Sequence, residues 1–315
     1  MTDQINPAGE TRKSAKWSNG RRERRAILAG LAFVSPWLIG FLIFTLYPIL
    51  ASFYYSFCDY RILTPPHWVG TRNYVDLFTD KDYFLPSLWN TFFMFLELPL
   101  GLFLGLAIAL LLNLKLRGMA WFRTLYYIPS VVPTVASAIL WLWLLNPEYG
   151  LVNKSLAMAH LGSPAWLSDR AWAKPGFIIM DLWGVGGSMI IYLAALQGVP
   201  VALYEAAELD GATAWDKLRH VTLPAISPVI FFNLLLGVIG TFQYFTQAFV
   251  MTGGAGGPAN ATLFYALYLY QNAFQYFRMG YACAMAWVLF AITLVASFIV
   301  FKTSLRWVYY EGGER

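Results

Sequence analysis

Long apolar runs alternate with polar segments along nearly the whole of this 315-residue chain. An α-helix needs roughly 20 predominantly apolar residues to cross the hydrocarbon core of a bilayer. Six runs are long enough, and they lie at residues 27–53, 88–112, 125–145, 177–199, 226–251 and 279–301. The pattern predicts an all-α membrane protein with six transmembrane helices.

The composition supports this interpretation, because 58% of the residues are hydrophobic and only 12% are charged. Soluble globular chains are nearer ~45–50% apolar and ~25% charged. The first apolar run follows a basic stretch, as the apolar part of a secretory signal does. It is too long for such a signal, and no small-residue cleavage site closes it. We expect it to remain as a membrane anchor.

Lysine and arginine are distributed unequally between the segments that separate the runs. If the N-terminus is cytoplasmic, 15 of the 22 basic residues lie on the cytoplasmic side, in agreement with the positive-inside rule. We therefore expect a cytoplasmic basic arm at 1–26, a transmembrane domain at 27–305 and a cytoplasmic tail at 306–315. The arm has no apolar periodicity and is predicted to be disordered. Its basic residues adjoin a span, which favours contact with lipid headgroups and not with nucleic acid.

Three long segments, at 54–87, 146–176 and 252–278, lie on the opposite side and contain roughly 30 residues each. They are too long to be simple connectors, and their aromatic and helix-compatible stretches predict short interfacial helices. Cys58 and Cys283 are isolated in the sequence and fit neither a metal site nor a redox motif.

Helix-breaking residues fall inside several of the apolar runs. Pro99 lies in the second run, Pro129 and Pro133 lie in the third, and glycines cluster around Gly184 in the fourth. In lipid, such breaks are tolerated where neighbouring helices or water satisfy the freed backbone groups. We therefore expect the spans to pack as a bundle.

A polar island follows the fourth run and reads EAAELDGATAWDKLRHVTLPA, residues 205–225. Six of its first fifteen residues are charged. Its first half favours a helix, which Gly211 interrupts. A second helix is expected just after, capped either by Asp210 or by Thr213 with Asp216 as a near match to the capping box.

In the second half of the island, Trp215, Leu218 and Val221 recur every third residue and predict one apolar face. Pro224 is expected to end this helix before the fifth run begins. One interpretation is an amphipathic connector that rests on lipid headgroups. The four acidic residues of the island oppose anionic lipid, so we favour a docking element for another protein.

The island closely resembles the EAA signature of the inner-membrane permease subunits of binding-protein-dependent ABC importers. The matching positions are Glu205, Ala206, Ala207, Gly211, Leu223 and Pro224. Further stretches resemble the carbohydrate branch of that family, the subunits similar to the first maltose permease. They are LWNT at 88–91, NPEYGLVN at 146–153, YLAALQGVP at 192–200, FVMTGGAGGPANAT at 249–262 and MGYACAMAWVL at 279–289.

The resemblance extends over about residues 30–305 and departs from the family pattern in the glycine-rich stretch, where Ala255 and an additional glycine are inserted. It implies that the island forms a coupling helix, which sits in a cleft of a cytoplasmic ATPase and converts its ATP-driven closure into movement of the bundle. The residues assigned to this coupling are Glu205, Ala206, Ala207, Asp210, Gly211, Ala212, Leu223 and Pro224.

The resemblance also implies the partners: a dimer of cytoplasmic ATP-binding subunits, a second permease subunit and a periplasmic or lipid-anchored solute-binding protein. The solute is expected to be a sugar or polyol, and the location is the inner membrane. The sequence contains no G-x-x-x-x-G-K-[ST] phosphate-binding motif, so ATP hydrolysis is expected in a partner. The H-E-x-x-H and G-x-S-x-G motifs are absent as well. We expect no catalytic residues, no cofactor and no metal.

Two carboxylates, Glu97 and Asp181, lie inside the second and fourth apolar runs. Charge within a membrane is costly, so its default interpretation is functional. Both residues are candidates for the solute pathway, although each could instead hydrogen-bond to a helix break or a neighbouring helix. They also keep one alternative function open, an ion-coupled secondary transporter in which they relay protons.

The fifth run carries four further candidates, Asn233, Gln243, Tyr244 and Gln247. Gln243 and Gln247 are four residues apart and are expected to share a helix face. Amides beside an aromatic ring suit the hydroxyls and ring faces of a sugar. Hydrogen bonding between helices is the alternative role for such residues. No lysine or arginine lies inside any of the six runs, which favours an uncharged solute.

Overall fold

The computed structural model describes residues 12–114 and 116–309, and the chain divides into two units, Met1–Tyr55 and Ser56–Arg315. The described residues are mostly helical. Their α-helices are α1 (Arg12–Phe41), α2 (Tyr47–Ser56), α3 (Arg72–Thr79), α4 (Phe84–Met94), α5 (Glu97–Leu112), α6 (Met119–Val131), α7 (Thr134–Leu144), α8 (Leu151–Met158), α9 (Arg170–Trp183), α10 (Gly186–Gly198), α11 (Val201–Leu209), α12 (Ala214–Lys217), α13 (Leu223–Phe242), α14 (Thr246–Thr252), α15 (Tyr265–Tyr270) and α16 (Met279–Ser304). π-Helical turns occupy Leu42–Leu46, Leu218–Thr222 and Gln271–Gln275.

Four helical segments in the described part of the chain are long and apolar enough to cross a membrane: Arg24–Ser56, Phe84–Leu112, Ala214–Phe242 and Met279–Ser304. Two pairs of helices, α6 with α7 and α9 with α10, pass the same test when each pair is taken together. Five of the six predicted apolar runs lie within these segments to within one residue, whereas the fifth run, 226–251, extends past Phe242. Their number is therefore four to six, depending on whether each bent pair is one span.

Both bent pairs break where the sequence contains helix breakers. α6 and α7 meet at an angle of 98°, because Pro133 has no N–H to donate and forces Val132 into an extended conformation. α9 and α10 meet at 43° around Gly184. Since α9 begins at Arg170, it includes Lys174. The helix therefore begins before the apolar run 177–199, which itself contains no lysine or arginine.

The N-terminal arm differs from its prediction. Residues 12–26 belong to α1 and are not disordered, while residues 1–11 lie outside the described part of the chain. The sequence of the arm is rich in Arg, Lys, Glu and Ala, which have high helix propensity. The helix therefore extends past the basic stretch that precedes the first apolar run.

The fifth run differs at both ends. The helix does not end at Pro224, because α12, the π-helical turn Leu218–Thr222 and α13 follow one another without interruption. Pro224 lies in the first turn of α13, where a missing N–H is tolerated, and the wider π turn precedes it. At the other end, α13 stops at Phe242, and residues 243–245 are not helical. The second helix of this region, α14, covers only Thr246–Thr252.

The long segments contain the expected short helices α3, α8 and α15, but the strictly all-α prediction is wrong in one detail. Residues Cys58–Arg61 (β1) and Thr64–Trp68 (β2) form an antiparallel hairpin, in which Cys58 pairs with Trp68 and Asp59 with His67. Two prolines in β2 remove ladder donors, which is tolerated because a two-stranded sheet consists of edge strands.

The apolar core of the second unit has three clusters. The largest gathers side chains from the long segments and the adjoining helix ends, Phe84 and Phe264 among them. A second cluster joins α5, α10 and α13 around Tyr192 and Ile226, and a third surrounds Phe242. The three unbroken candidate spans of this unit bury only 11 to 22% of their most apolar window inside the chain. Most of their apolar side chains therefore face outward, as in a protein surrounded by lipid.

Candidate functional site

A cavity of about 360 Å³, with polar side chains set among apolar ones, lies among α5, α9, α10 and α13. It brings together five of the six residues that the sequence proposed for the solute pathway. They are Glu97, Asp181, Asn233, Tyr244 and Gln247. These residues lie in three apolar runs that are far apart in the sequence, and the packing of the helices brings them together.

Breaks in the helices position several of these side chains. Glu97 is the first residue of α5, after the non-helical Phe95 and Leu96. Asp181 lies one turn before the break at Gly184. Tyr244 lies within the break between α13 and α14, and Gln247 lies in the first turn of α14. Four of the five predicted residues that line the cavity therefore lie at or near the end of a helix.

Tyr244 closes one side of the cavity with aromatic neighbours. Its side chain is buried and packs edge-on against Phe177 at 6.0 Å and Phe264 at 5.0 Å between ring centroids. The Asp181 carboxyl interacts with the Tyr244 hydroxyl and with Gln247, although the hydroxyl makes no hydrogen bond of good geometry. The hydroxyl oxygen is buried beside the carboxyl, so Asp181 is its nearest polar neighbour on this side of the cavity.

Gln243 does not belong to this site, which corrects the sequence-based expectation. It follows the last residue of α13, its side chain is exposed, and it does not line the cavity. The interruption at residues 243–245 removes the continuous helix on which Gln243 and Gln247 would have shared a face. Residues 241–247 contain no proline or glycine, and Gly240 in the last turn of α13 was not taken as the end of the helix.

Ser188, Thr241 and three glycines also line the cavity and were not among the predicted residues. Asn233, Gly237 and Thr241 follow one another at intervals of four on α13, so they lie on one helix face. Small and polar residues at that interval are a signal that could have identified this lining. Thr241 and Asn233 donate to the helix carbonyls of Gly237 and Val229, each at 2.9 Å. Their oxygen atoms remain as acceptors.

A second polar cavity, of about 340 Å³, shares Asp181 and Gln247 with the first. Its other walls come from the 98° bend, with the hydroxyls of Ser130, Thr134 and Ser137. Asp181 and Gln247 therefore separate two polar spaces, each of which has hydrogen-bonding side chains.

The polar island folds as two short helices joined at Gly211. α11 ends in a Schellman motif, in which the Ala212 N–H donates to the Ala207 carbonyl at 2.9 Å and the Gly211 N–H donates to the Glu208 carbonyl at 3.0 Å. Gly211 has φ +77°, a left-handed conformation that glycine adopts without a steric cost. The predicted glycine bend is confirmed.

Thr213 caps the second helix, α12, in a complete capping box. The Asp216 N–H donates to the Thr213 hydroxyl oxygen at 3.3 Å, and the Thr213 N–H donates to the Asp216 carboxylate at 3.0 Å. The hydrogen bonds from Thr213 hold the pKa of Asp216 below its usual value. Of the two capping residues considered, Thr213 is the one used.

Apolar side chains project from both helices of the island. Leu209 is 91% exposed and Trp215 is 66% exposed. Glu205 and Ala206 are exposed on α11, whereas Leu223 begins α13 and is half-buried. The island therefore presents an apolar and acidic surface to its surroundings. Its last residues, Leu223 and Pro224, belong to α13.

The described residues contain no group of three or more His, Cys, Asp or Glu side chains placed to hold a metal ion.

Comparison with known proteins identifies the family. Residues 98–308 match the family described as binding-protein-dependent transport system inner membrane component. The probable ABC transporter permease protein YesP of Bacillus subtilis strain 168 is 41% identical, and the match covers 93% of this chain and 96% of YesP. The lactose transport system permease protein LacF of Rhizobium radiobacter is 37% identical over 86% of this chain and 92% of LacF.

A solved structure agrees with these relatives. One chain of a bacterial alginate ABC transporter, crystallised with an alginate pentasaccharide-bound periplasmic protein, is similar with a TM-score of 0.78 and 26% identity. The match covers 92% of this chain and 97% of that one. Together with its apolar helices, these likenesses make the chain a multi-pass inner-membrane protein with a transport role and not an enzyme. The chain belongs to the inner-membrane components of binding-protein-dependent transport systems, as an ABC transporter permease similar to those of carbohydrate uptake.

Proposed function

We propose that this chain forms half of the translocation pathway of an ATP-driven importer for a sugar or polyol. The solute class is supported by relatives that are named for lactose and alginate transport. The observation that carries the proposal is the bent helix pair of the polar island, which has exposed Leu209 and Trp215 beside acidic residues. A surface of this kind is suited to a protein cleft and poorly suited to anionic lipid.

The island is assigned as the coupling helix between the fourth and fifth of six transmembrane helices. In this assignment each bent pair is one span, and residues 1–26 and 306–315 are cytoplasmic with the island. The residues that contact or position the ATPase partner are Glu205, Ala206, Ala207, Asp210, Gly211, Ala212, Leu223 and Pro224. The distribution of basic residues along the sequence supports this orientation.

The partners follow from the same assignment. A dimer of ATP-binding subunits binds on the cytoplasmic side, and a second permease subunit completes the pathway. A periplasmic or lipid-anchored solute-binding protein delivers the sugar. The periplasmic protein bound to the alginate transporter supports this last partner.

The polar cavity is assigned to the solute pathway. It offers carboxylates from Glu97 and Asp181 and amides from Asn233 and Gln247, which are suited to the hydroxyl groups of a sugar. The cavity is the part of the pathway that this subunit contributes.

The test of the coupling role is ATP hydrolysis by the complete transporter in proteoliposomes. Glu205→Lys and Gly211→Pro should leave the protein in the membrane but abolish stimulation of ATPase activity by the solute-loaded receptor. Glu148→Lys is the matched charge reversal, since Glu148 is exposed in a different loop, and it should retain full stimulation. Normal stimulation in both island variants would contradict the assignment.

The same proteoliposomes distinguish an ATP-driven importer from the ion-coupled alternative, for which the comparisons offer no support. Uptake should stop when the ATPase partner is inactivated and should continue when the proton gradient is collapsed. In Glu97→Gln and Asp181→Asn variants the solute affinity should change while the dependence on ATP remains. Loss of uptake on collapse of the proton gradient would favour the alternative.

A further inference from the structure

Three arginines converge on a small polar pocket at the end of the molecule that carries the β1–β2 hairpin. The pocket has a volume of about 140 Å³. Arg61 ends β1, Arg72 begins α3, and Arg278 directly precedes α16. None of these residues belongs to the cavity or the polar island described above.

The walls of the pocket are held in place by close backbone contacts. The Asn73 amide of α3 donates to the carbonyls of Ser56 and Cys58, both at 2.9 Å. Gly280 lets α16 approach β1, because a Cβ atom at that position would lie 2.0 Å from the Cys58 carbonyl oxygen. The hairpin, α3 and the start of α16 therefore form one preorganised frame around the arginines.

The charges in the pocket are not balanced. The shortest distance between Arg61 and the Asp59 carboxylate is 3.8 Å, and between Arg72 and the Asp76 carboxylate it is 3.9 Å, so both ion pairs are long. Arg278 has no carboxylate within 4.0 Å among the described residues. Three guanidinium groups thus face two carboxylates.

Arg278 is oriented by an aromatic ring. Its guanidinium lies 4.5 Å from the centroid of the Tyr281 ring, an arrangement that fixes the plane of the group and leaves its N–H donors free. The N-termini of α3 and α16 add partial positive charge, and neither receives a capping hydrogen bond from a side chain of its N-cap residue. The pocket is suited to a carboxylate.

The size of the pocket limits what it can accept. It is less than half as large as the first cavity, at about 140 Å³ against about 360 Å³. A space of this size, lined by charged side chains, matches the end of one acidic side chain better than an oligosaccharide. Guanidinium groups bind carboxylates through paired hydrogen bonds, which makes such a contact specific in geometry.

We propose that this pocket receives an Asp or Glu side chain of the soluble solute-binding protein and so fixes the position of that protein on the permease. The inference rests on the proposed function, because it requires the hairpin side of the chain to face the receptor. Arg278 is the main anchor, since it carries the unneutralised charge.

The first experiment measures binding of the solute-loaded receptor to the complete transporter in nanodiscs, with a receptor that stimulates the ATPase activity of the wild type. Arg278→Ala should weaken binding at least tenfold and reduce its dependence on salt concentration. Arg170→Ala is the matched control, because Arg170 is also exposed but lies outside the pocket, and it should bind as the wild type does. Equal binding by both variants would overturn the proposal.

The second experiment identifies the chemical group. In an Arg278→Lys variant, a carbodiimide should join the lysine amine to a receptor carboxylate as an amide with loss of water, and mass spectrometry should locate the bond. Arg170→Lys should give no such product. If the wild type is stimulated but Arg278→Lys is not cross-linked to an acidic side chain, the pocket assignment is wrong. If no receptor stimulates the wild type, the proposed function itself fails.

Discussion

The Nζ atom of Lys217 lies 2.6 Å from Oε1 of Glu208, across the bend at Gly211. This ion pair joins the second helix of the polar island to the first, in addition to the backbone bonds of the Schellman motif. The Glu208 side chain is 64% exposed, and ion pairs that reach solvent contribute only about 0.2–1 kcal/mol each. The angle between the helices is therefore set mainly by the backbone at Gly211 and by the capping box, and the ion pair adds to them.

Gly211 should be replaceable by asparagine but not by alanine. Nothing lies within 4 Å of a Cβ atom added at Gly211, so a side chain would not clash. The energetic cost of a substitution comes from the left-handed conformation, φ +77°. Gly211→Ala should destabilise the bend by about 1 kcal/mol, whereas asparagine tolerates this conformation better. Amide hydrogen exchange over residues 205–217 should become several-fold faster in Gly211→Ala than in Gly211→Asn. Equal rates would mean that the bend does not depend on the left-handed conformation.

The capping box should weaken at acidic pH. Hydrogen bonds from Thr213 hold the pKa of Asp216 below the ordinary value of 3.8, so the folded helix favours the charged carboxylate. The stabilisation is present above pH 4 and is lost as the pH falls below 3.8, through the pKa of the folded form. Exchange protection of α12, corrected for the intrinsic effect of pH, should decrease in this range for the wild type but not for Asp216→Asn. The same decrease in both proteins would contradict this account.

Two glycines at the ends of α10 should respond oppositely to alanine. A Cβ atom on Gly186 would lie 2.1 Å from the Tyr126 carbonyl oxygen, whereas nothing lies within 4 Å of a Cβ atom on Gly198. Gly186→Ala should reduce the free energy of unfolding by about 1–3 kcal/mol or more. Gly198→Ala should be neutral or stabilising by up to about 1 kcal/mol. Thermal unfolding in detergent measures both, and an equal effect would mean that α6 and α10 are not in close contact at Gly186.

Asn90 should be important for the stability of the glycine-rich loop. Its buried amide donates to the carbonyls of Asn260 at 2.7 Å and Leu263 at 3.1 Å, and its oxygen accepts from Lys174 at 2.9 Å. Asn90→Ala leaves these groups unpaired, which should reduce the free energy of unfolding by about 2–4 kcal/mol. The control is Asn113→Ala, an exposed asparagine at the end of α5. Similar losses of thermal stability in the two variants would contradict the role of Asn90.

Features that depend on local chemistry could be predicted from the sequence. The apolar runs, the bend at Gly211 and the pairing of Thr213 with Asp216 each follow from residues within a few positions of one another. Glu97 and Asp181 were identified because a carboxylate is costly inside an apolar run. That both line the same cavity could not be derived, because it depends on the packing of separate helices.

Features that depend on tertiary contacts were missed. The helix break after Phe242 could not be predicted, because residues 243–245 are neither proline nor glycine. It coincides with a change in burial, since Phe242 and Tyr244 are buried while Gln243 between them is exposed. Packing of Tyr244 against Phe177 and Phe264 stabilises this arrangement over a continuous helix. The hairpin was missed for a similar reason, because its partner strands are stabilised by α3 and α16.

Site-specific cross-linking tests the central claim, that the polar island docks into a separate ATPase subunit. Cysteine introduced at Ala207 or Ala212, on either side of Gly211, would carry a short photoactivatable cross-linker in the assembled transporter. Both positions should capture the nucleotide-binding subunit, with a yield that changes when ATP is added. Capture of lipid alone, at both positions and in both nucleotide states, would contradict the account.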